Sequence, residues 1–358
     1  MRVFRVSALA LCCVLPSFSQ QIHSRGTVAI TVDDLPYAPG RPLSNDTAAE
    51  ALTAAAINRK LLAAFRAHRV PVTGFVIGDR AQQLGPAGPR ILTQWVHDGF
   101  DLGNHTWSHP EMNQLSVEEI EQEIVHAEPV IAPLMRAARK RLTFFRFPMN
   151  ETGDTKEKHD AIADFLAQRG YKLAVCTIDT SDYVFNQAYV KMLGAGDEAS
   201  ARKLRQEYIA YSSAEIDYYA RLNTQVFGYE PPEVMLLHDN PLNADVIEDV
   251  LKLFEERRYR FVTLNAAQSN PATERPTPTL QNSDGCGDTG GQWRGMSRST
   301  DAWSLIRRNG LRITEERRRS DTRKAYYEPR LSRSGNVTPK LFPNFRRASD
   351  GPQGQEPH

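Results

Sequence analysis

Residues 28–36 read VAITVDDLP. Val28 to Val32 is an unbroken run of apolar and β-branched residues, Asp33 and Asp34 end it in charge, and Leu35-Pro36 breaks it. A short apolar run of this kind is a strand buried on both faces, the kind found in parallel sheets. Successive side chains of a strand point to opposite faces. Both carboxylates therefore serve one pocket only if the chain turns at once, which Pro36 favours. Two adjacent like charges call for a cation beside them, a metal or an arginine. The bland alternative is an Asp pair that caps a helix or stays solvated.

Outward from this stretch, strand and helix alternate from residue 27 to about 264. Helix is expected over Thr47–Ala67, capped by Asn45 or Asp46, with Leu52, Ile57, Leu61, Leu62 and Phe65 on its apolar stripe. Strands follow at Val72–Ile77, Asp101–Asn104, Thr143–Phe147, Tyr171–Ile178, Val234–Leu237 and Arg260–Leu264. Helices are expected over Gly88–His97, Thr155–Gln168 with Gly170 as C-cap, and Ala244–Glu256. Ser116 and Glu119 form a capping box for a helix reaching about Lys140, which Pro129 and Pro133 should kink or split. Seven strands alternating with helices imply an α/β fold with a parallel sheet, and the length suits a closed barrel; an open doubly wound sheet is the alternative. A helical insert, about Asn186 to Glu230, lies between strands 5 and 6. Its apolar positions Tyr208, Ile209, Ile216, Tyr219, Leu222 and Val226 either add to the core or cap the barrel mouth.

The ends of the 358-residue chain differ from this body. Arg2 and Arg5 precede an apolar run from Val6 to Leu15, then Pro16 and small residues, which reads as a signal peptide over residues 1–19. The run is too short for a membrane span. Residues 24–268 form the expected catalytic domain. From residue 269 periodicity stops, and 16 Lys+Arg stand against 10 Asp+Glu, a net of +6, while the rest of the chain nets −5. This basic tail, 269–358, reads as low-complexity and disordered, with one short helix around Asp301–Arg308. It either holds anionic wall polymers or has no selected role. An acidic body, and a basic tail without the aromatic interleaving of a known module, give nucleic acid little support. Beyond the signal segment only Cys176 and Cys286 remain. No CxxC points to a thiolate zinc site, and Cys176, in a buried strand, is expected as a packed free thiol.

In a parallel barrel, chemistry gathers where strands end. Asp33 and Asp34, then His105-Thr106-Trp107-Ser108-His109, Arg146, Asp179 and Asp182, and finally His238 and Asp239 fall at those ends. His105 and His109 stand four apart, so on one helical turn they face one side as a two-histidine metal clamp. With one carboxylate they make a three-ligand site with room for water. Arg146, at the end of an apolar strand, must be paired, and Asp33 is the obvious partner.

TVDD at 31–34, HTWSH at 105–109, RFP at 146–148, DTSD at 179–182 and LLH at 236–238 occur in order. Together they resemble the five motifs of the polysaccharide deacetylases, the NodB-homology carbohydrate esterases of family 4, over about residues 26–266, and the resemblance implies a distorted (β/α)7 barrel of parallel strands. The resemblance implies that Asp34, His105 and His109 bind a divalent metal, zinc first, with cobalt or nickel as alternatives. It implies Asp33 as general base, His238 as general acid, Arg146 orienting Asp33, and Asp179 orienting His238 with Asp182 as the alternate. Met149, Tyr183 and Leu236 would line the substrate, and the backbone N–H near Met149 would hold the oxyanion. The family pattern departs at Leu35, usually Gly, at Met149, often aromatic, and at Tyr183, often Trp, which leaves the sugar identity open.

The implied activity is a secreted or periplasmic N-deacetylase of an N-acetylated, peptidoglycan- or chitin-like glycan. The alternatives are an O-acetyl esterase of xylan type, another C–N amide hydrolase, or an inactive glycan-binding protein. A monomer with a polysaccharide or oligosaccharide substrate, no nucleic-acid partner and no stable membrane span is expected.

Overall fold

A computed structural model describes residues 25–271 of the chain. In order the elements are β1 (Thr27–Leu35), α1 (Thr47–Ala67), β2 (Val72–Val76), α2 (Gly78–Gln83), α3 (Ala87–His97), β3 (Asp101–Asn104), α4 (Val117–Ala137), β4 (Phe144–Phe145), α5 (Lys156–Gln168) and β5 (Lys172–Leu173). Then come β6 (Ile178–Asp179), α6 (Asp182–Gly194), α7 (Glu198–Phe227), β7 (Glu233–His238), α8 (Pro241–Glu256), β8 (Arg260–Phe261) and α9 (Leu264–Ala267). The signal-peptide, tail, Asp301–Arg308 and Cys286 readings fall outside the described residues.

All pairings are parallel, in the order β5-β4-β3-β2-β1-β7-β6, with β8 on β1. The fifth expected strand is split. Its first part, β5, pairs with β4, and its second, β6, pairs with β7. Between them the Ala174 N–H still donates to Phe145 O at 2.7 Å and the Thr177 N–H to Val234 O at 2.8 Å. One extended segment thus joins the two sheet edges and curls the sheet into a distorted barrel. The seventh expected strand is cut to β8, which pairs with Thr27 and Val28 at the foot of β1, while β7 pairs with β1 directly.

Alternation along β1 divides the core. Val28, Ile30 and Val32 join the large cluster that includes Leu61 and Phe65 of α1 and Val250 and Phe254 of α8. Ala29 instead packs with Phe75, Phe144, Val234 and the α9 residues Leu264 and Ala267. The α1 cap is Asp46, accepting from the Ala49 N–H at 3.0 Å. Leu52 departs from the expected stripe and is 74% exposed. The Ser116/Glu119 capping box opens α4. That helix runs unbroken through Pro129 and Pro133, contrary to the expected kink or split. Both prolines lie on its exposed face, so carbonyls deprived of a partner meet water, while Ile120, Ile124, Ala127, Ile131 and Met135 hold the buried stripe.

The insert is part of the helical layer. On α7, Tyr208 reaches Asn243 near the start of α8, and Asn223 donates to Glu233 at the start of β7. The helix therefore spans the length of the barrel wall, with Leu204, Tyr208, Ile216 and Tyr219 buried. This is the core-packing reading rather than the cap. Cys176 is buried and disulfide-bonded, which overturns the expected free thiol. No helix of the described residues is long and apolar enough to cross a membrane.

Candidate active site

Thr31 and Asp33, two apart on β1, both meet Arg146. Its Nη1 donates to Thr31 Oγ1 and to Asp33 Oδ1, each at 2.8 Å, and its Nη2 to Val175 O at 2.9 Å. The guanidinium is fully buried and lies 4.4 Å over the Phe75 ring. A buried charge needs such pairing, so the expected Arg146–Asp33 contact is present.

Asp34 leaves the strand with φ +64°, and the turn closes through the Tyr37 N–H to Asp34 O at 3.0 Å. That turn brings both carboxylates to one pocket. His105 Nε2 is 3.7 Å from Asp33 Oδ2 and 3.6 Å from Asp34 Oδ1; His109 Nε2 is 3.4 Å from Asp34 Oδ1. Contrary to the expectation from their spacing, the two histidines do not share a helical turn. They sit on a loop after β3, with Thr106 at φ +70° and His109 at φ +58°. Side chains shape this loop: Asn104 Oδ1 accepts from the Thr106 N–H at 2.8 Å, and Thr106 Oγ1 from the His109 N–H at 3.1 Å. Met149, Asn150 and Ser181, at two further strand ends, also have positive φ. Such backbones cost about 1–3 kcal/mol each and persist where the surroundings over-determine them.

The donor set fits a metal. Asp34 Oδ1 is buried and accepts no hydrogen bond. Ligand atoms of Asp34, His105 and His109 all lie within 4.8 Å of one another. Two ligands on one tetrahedral zinc stand about 3.3 Å apart, close to the His109–Asp34 spacing. His105 Nδ1 is 2.8 Å from Arg146 O, which leaves Nε2, facing Asp34, as the nitrogen that could hold a metal. Burial pushes the His105 imidazole down to about 4, against the pull of Asp33 and Asp34, so its lone pair is available at neutral pH. Burial opposes the charge on Asp34. Even so, His109, His238, His105 and Arg80 together hold its carboxyl well below the usual range.

His238 ends β7 opposite Asp33 in the β1 register. Its Nδ1 meets Asp182 Oδ1 at 2.7 Å. Asp179, the first choice for this partner, instead turns its Oδ1 to the Ser181 N–H at 2.7 Å, a local turn that takes its carboxyl away from the ring. The alternate, Asp182, is the partner because it opens α6 facing β7. Burial raises Asp179 to about 6, whereas His238 and Asn243 hold Asp182 low in spite of burial. Burial also opposes the charge of His238, but Asp182 lifts it to about 10. Burial pushes the neighbouring Asp239 carboxyl well above the usual carboxylate range.

Of the expected substrate-lining residues, Met149 and Tyr183 are 37% and 42% exposed. The Tyr183 ring stands edge-on to His238 with centroids 5.8 Å apart. Leu236 lies one pleat beneath His238, covered and packed with Cys176, away from the opening. Sequence reading missed Thr31, Asn240, Asn243, Tyr208 and Arg80. Alternation from Asp33 signals Thr31, and an Asn before Pro241 signals the cap Asn240. The others carry no local signal.

The polysaccharide deacetylase family model matches residues 20–174 of the chain. The match ends before Asp182 and His238, which the fold brings to the same pocket. The chain is 24% identical over 161 residues to a peptidoglycan-N-acetylglucosamine deacetylase of Bacillus cereus, covering 45% of this chain and 48% of that one. It thus spans about half the length of that curated relative. Among solved structures, a polysaccharide deacetylase of Bacillus cereus is similar at 19% identity and TM-score 0.46, covering 67% of this chain and 92% of the other. A family 4 carbohydrate esterase pseudoenzyme of Bacillus anthracis is similar at 14% identity and TM-score 0.45, covering 68% and 66%.

Proposed function

We propose that this chain is a metal-dependent deacetylase that removes N-acetyl groups from a peptidoglycan- or chitin-like glycan. The observation that carries this reading is the Asp34, His105 and His109 cluster, with a buried, unbonded Asp34 oxygen. Beside it stand two ion pairs, Arg146–Asp33 and Asp182–His238. A divalent metal held there, zinc by its nitrogen and oxygen donors, supplies a Lewis acid for the acetyl carbonyl and lowers the pKa of water. Asp33, aimed by Arg146, takes the proton of the attacking water. His238, kept cationic by Asp182, gives a proton to the departing amine, which cannot leave as an anion. In this reading Met149 and Tyr183, both exposed, would meet the sugar.

The site of action in this reading is outside the cytoplasm. The signal-peptide pattern at residues 1–19 supports it, as does the disulfide at Cys176. The test is acetate release from chitin oligomers, peptidoglycan and acetylated xylan, with and without chelator. Chelator-sensitive release from an N-acetyl substrate is expected. Release from xylan alone would replace the reading by an esterase, and a chain that binds metal and releases nothing would be a glycan-binding protein.

A further inference from the structure

We propose that Tyr208 and Asn243 are positioning residues for the Asp182–His238 pair, which makes α7 the rear wall of the active site. The inference rests on the reading of His238 as the proton donor.

Asp182 is fully buried, and its two oxygens are used differently. Oδ2 accepts from the His238 backbone N–H at 2.8 Å, from Asn240 Nδ2 at 3.0 Å and from Asn243 Nδ2. Oδ1 is thereby left for His238 Nδ1. Asn243 also donates to His238 O at 2.8 Å. Both hydrogens of its amide nitrogen are then spent. Its Oδ1 needs a donor, and Tyr208 OH lies 3.4 Å away. The phenol oxygen in turn is 2.8 Å from Thr180 Oγ1. Turned over, the amide would set its oxygen against a carboxylate and a carbonyl. Tyr208 makes the working orientation the favourable one, and with Thr180, Asp182 and Asn243 it is wholly buried, where an unmet polar group is expensive. The groups that face Asp182 are His238 from β7, Asp179 ending β6, Tyr208 from α7, and Asn240 and Asn243 before and on α8.

The test is the titration of the Asp182 carboxyl by ¹³C NMR in the full chain, with the resonance assigned through Asp182→Asn. Wild type should titrate below the ordinary aspartate range. Asn243→Leu removes the donated hydrogen bond at nearly constant volume and should raise the midpoint by about one unit or more. Tyr208→Phe, which removes only the hydroxyl, should raise it in the same direction by less. Deacetylation by both variants should weaken at its low-pH limb by the same shift. If both variants melt lower yet leave the midpoint within about 0.3 unit, the residues are merely structural and the proposal is overturned. The titration needs no turnover. A wild-type chain that releases no acetate would end the deacetylase reading while the titration still decides this one.

Discussion

The carbonyl of Arg146 lies 2.8 Å from His105 Nδ1, while the guanidinium of the same residue holds Asp33. One residue thus sets the tautomer of His105 through its backbone and the aim of a carboxylate through its side chain. The two tasks are separable by mutation. Arg146→Lys keeps the backbone contact and a cation but loses the forked geometry. It should retain stoichiometric metal by elemental analysis, with kcat/KM about 10–100-fold lower.

Ligand and base should separate in the same way. His109→Ala is expected to lose metal and activity together. Asp33→Asn is expected to keep metal and to slow turnover about 10²–10⁴-fold. Metal loss in Asp33→Asn would mean that the roles of the two aspartates are exchanged.

His238→Ala should slow an N-acetyl substrate more than an O-acetyl one, by about tenfold or more, because an alkoxide needs less help to leave than an amine. Equal losses measured on matched amide and ester substrates would remove His238 as the acid.

Asp179 and Asp182 offer a direct contrast. Asp182→Asn should cost about 100-fold in turnover, and Asp179→Asn less than about threefold, since Asn can still accept from the Ser181 N–H. Burial raises Asp179 to about 6 in the fold, from an ordinary 3.8. Its stabilising, protonated form is complete below about 3.8 and is lost as pH rises through about 6. Asp179→Asn should therefore melt higher than wild type at pH 7, and the gain should vanish near pH 4. A gain that does not depend on pH would refute the assignment.

The Asp182–His238 pair has the opposite reach. His238 titrates near 10 in the fold against 6.5 ordinarily, so its contribution is full below about 6.5 and fades as pH rises through about 10. In chelated protein, the melting-point gap between wild type and Asp182→Asn should narrow between pH 7 and pH 10. A constant gap would show that the imidazole is not held charged.

Sequence alone determined much of the chemistry. An apolar run ending in Asp33-Asp34, a proline that forces a turn, and polar residues at successive strand ends located the centre, because a parallel strand buried on both faces can place charge only at its end. Arg146 on Asp33 followed from the cost of burying an unpaired guanidinium. Only tertiary structure decided the rest. Asp182 rather than Asp179 meets His238 because a local turn at Ser181 captures one carboxylate and the start of α6 aims the other, and spacing along the chain does not distinguish them. The loop that presents His105 and His109, the straight α4 with its prolines in water, and the split fifth strand depend on which face each segment turns to its neighbours. Tyr208 stands far from the motifs in sequence and reaches Asn243, the donor to Asp182, only where α7 and α8 pack behind β7. Local pattern carries burial and charge, whereas partnership between distant polar groups is set by packing.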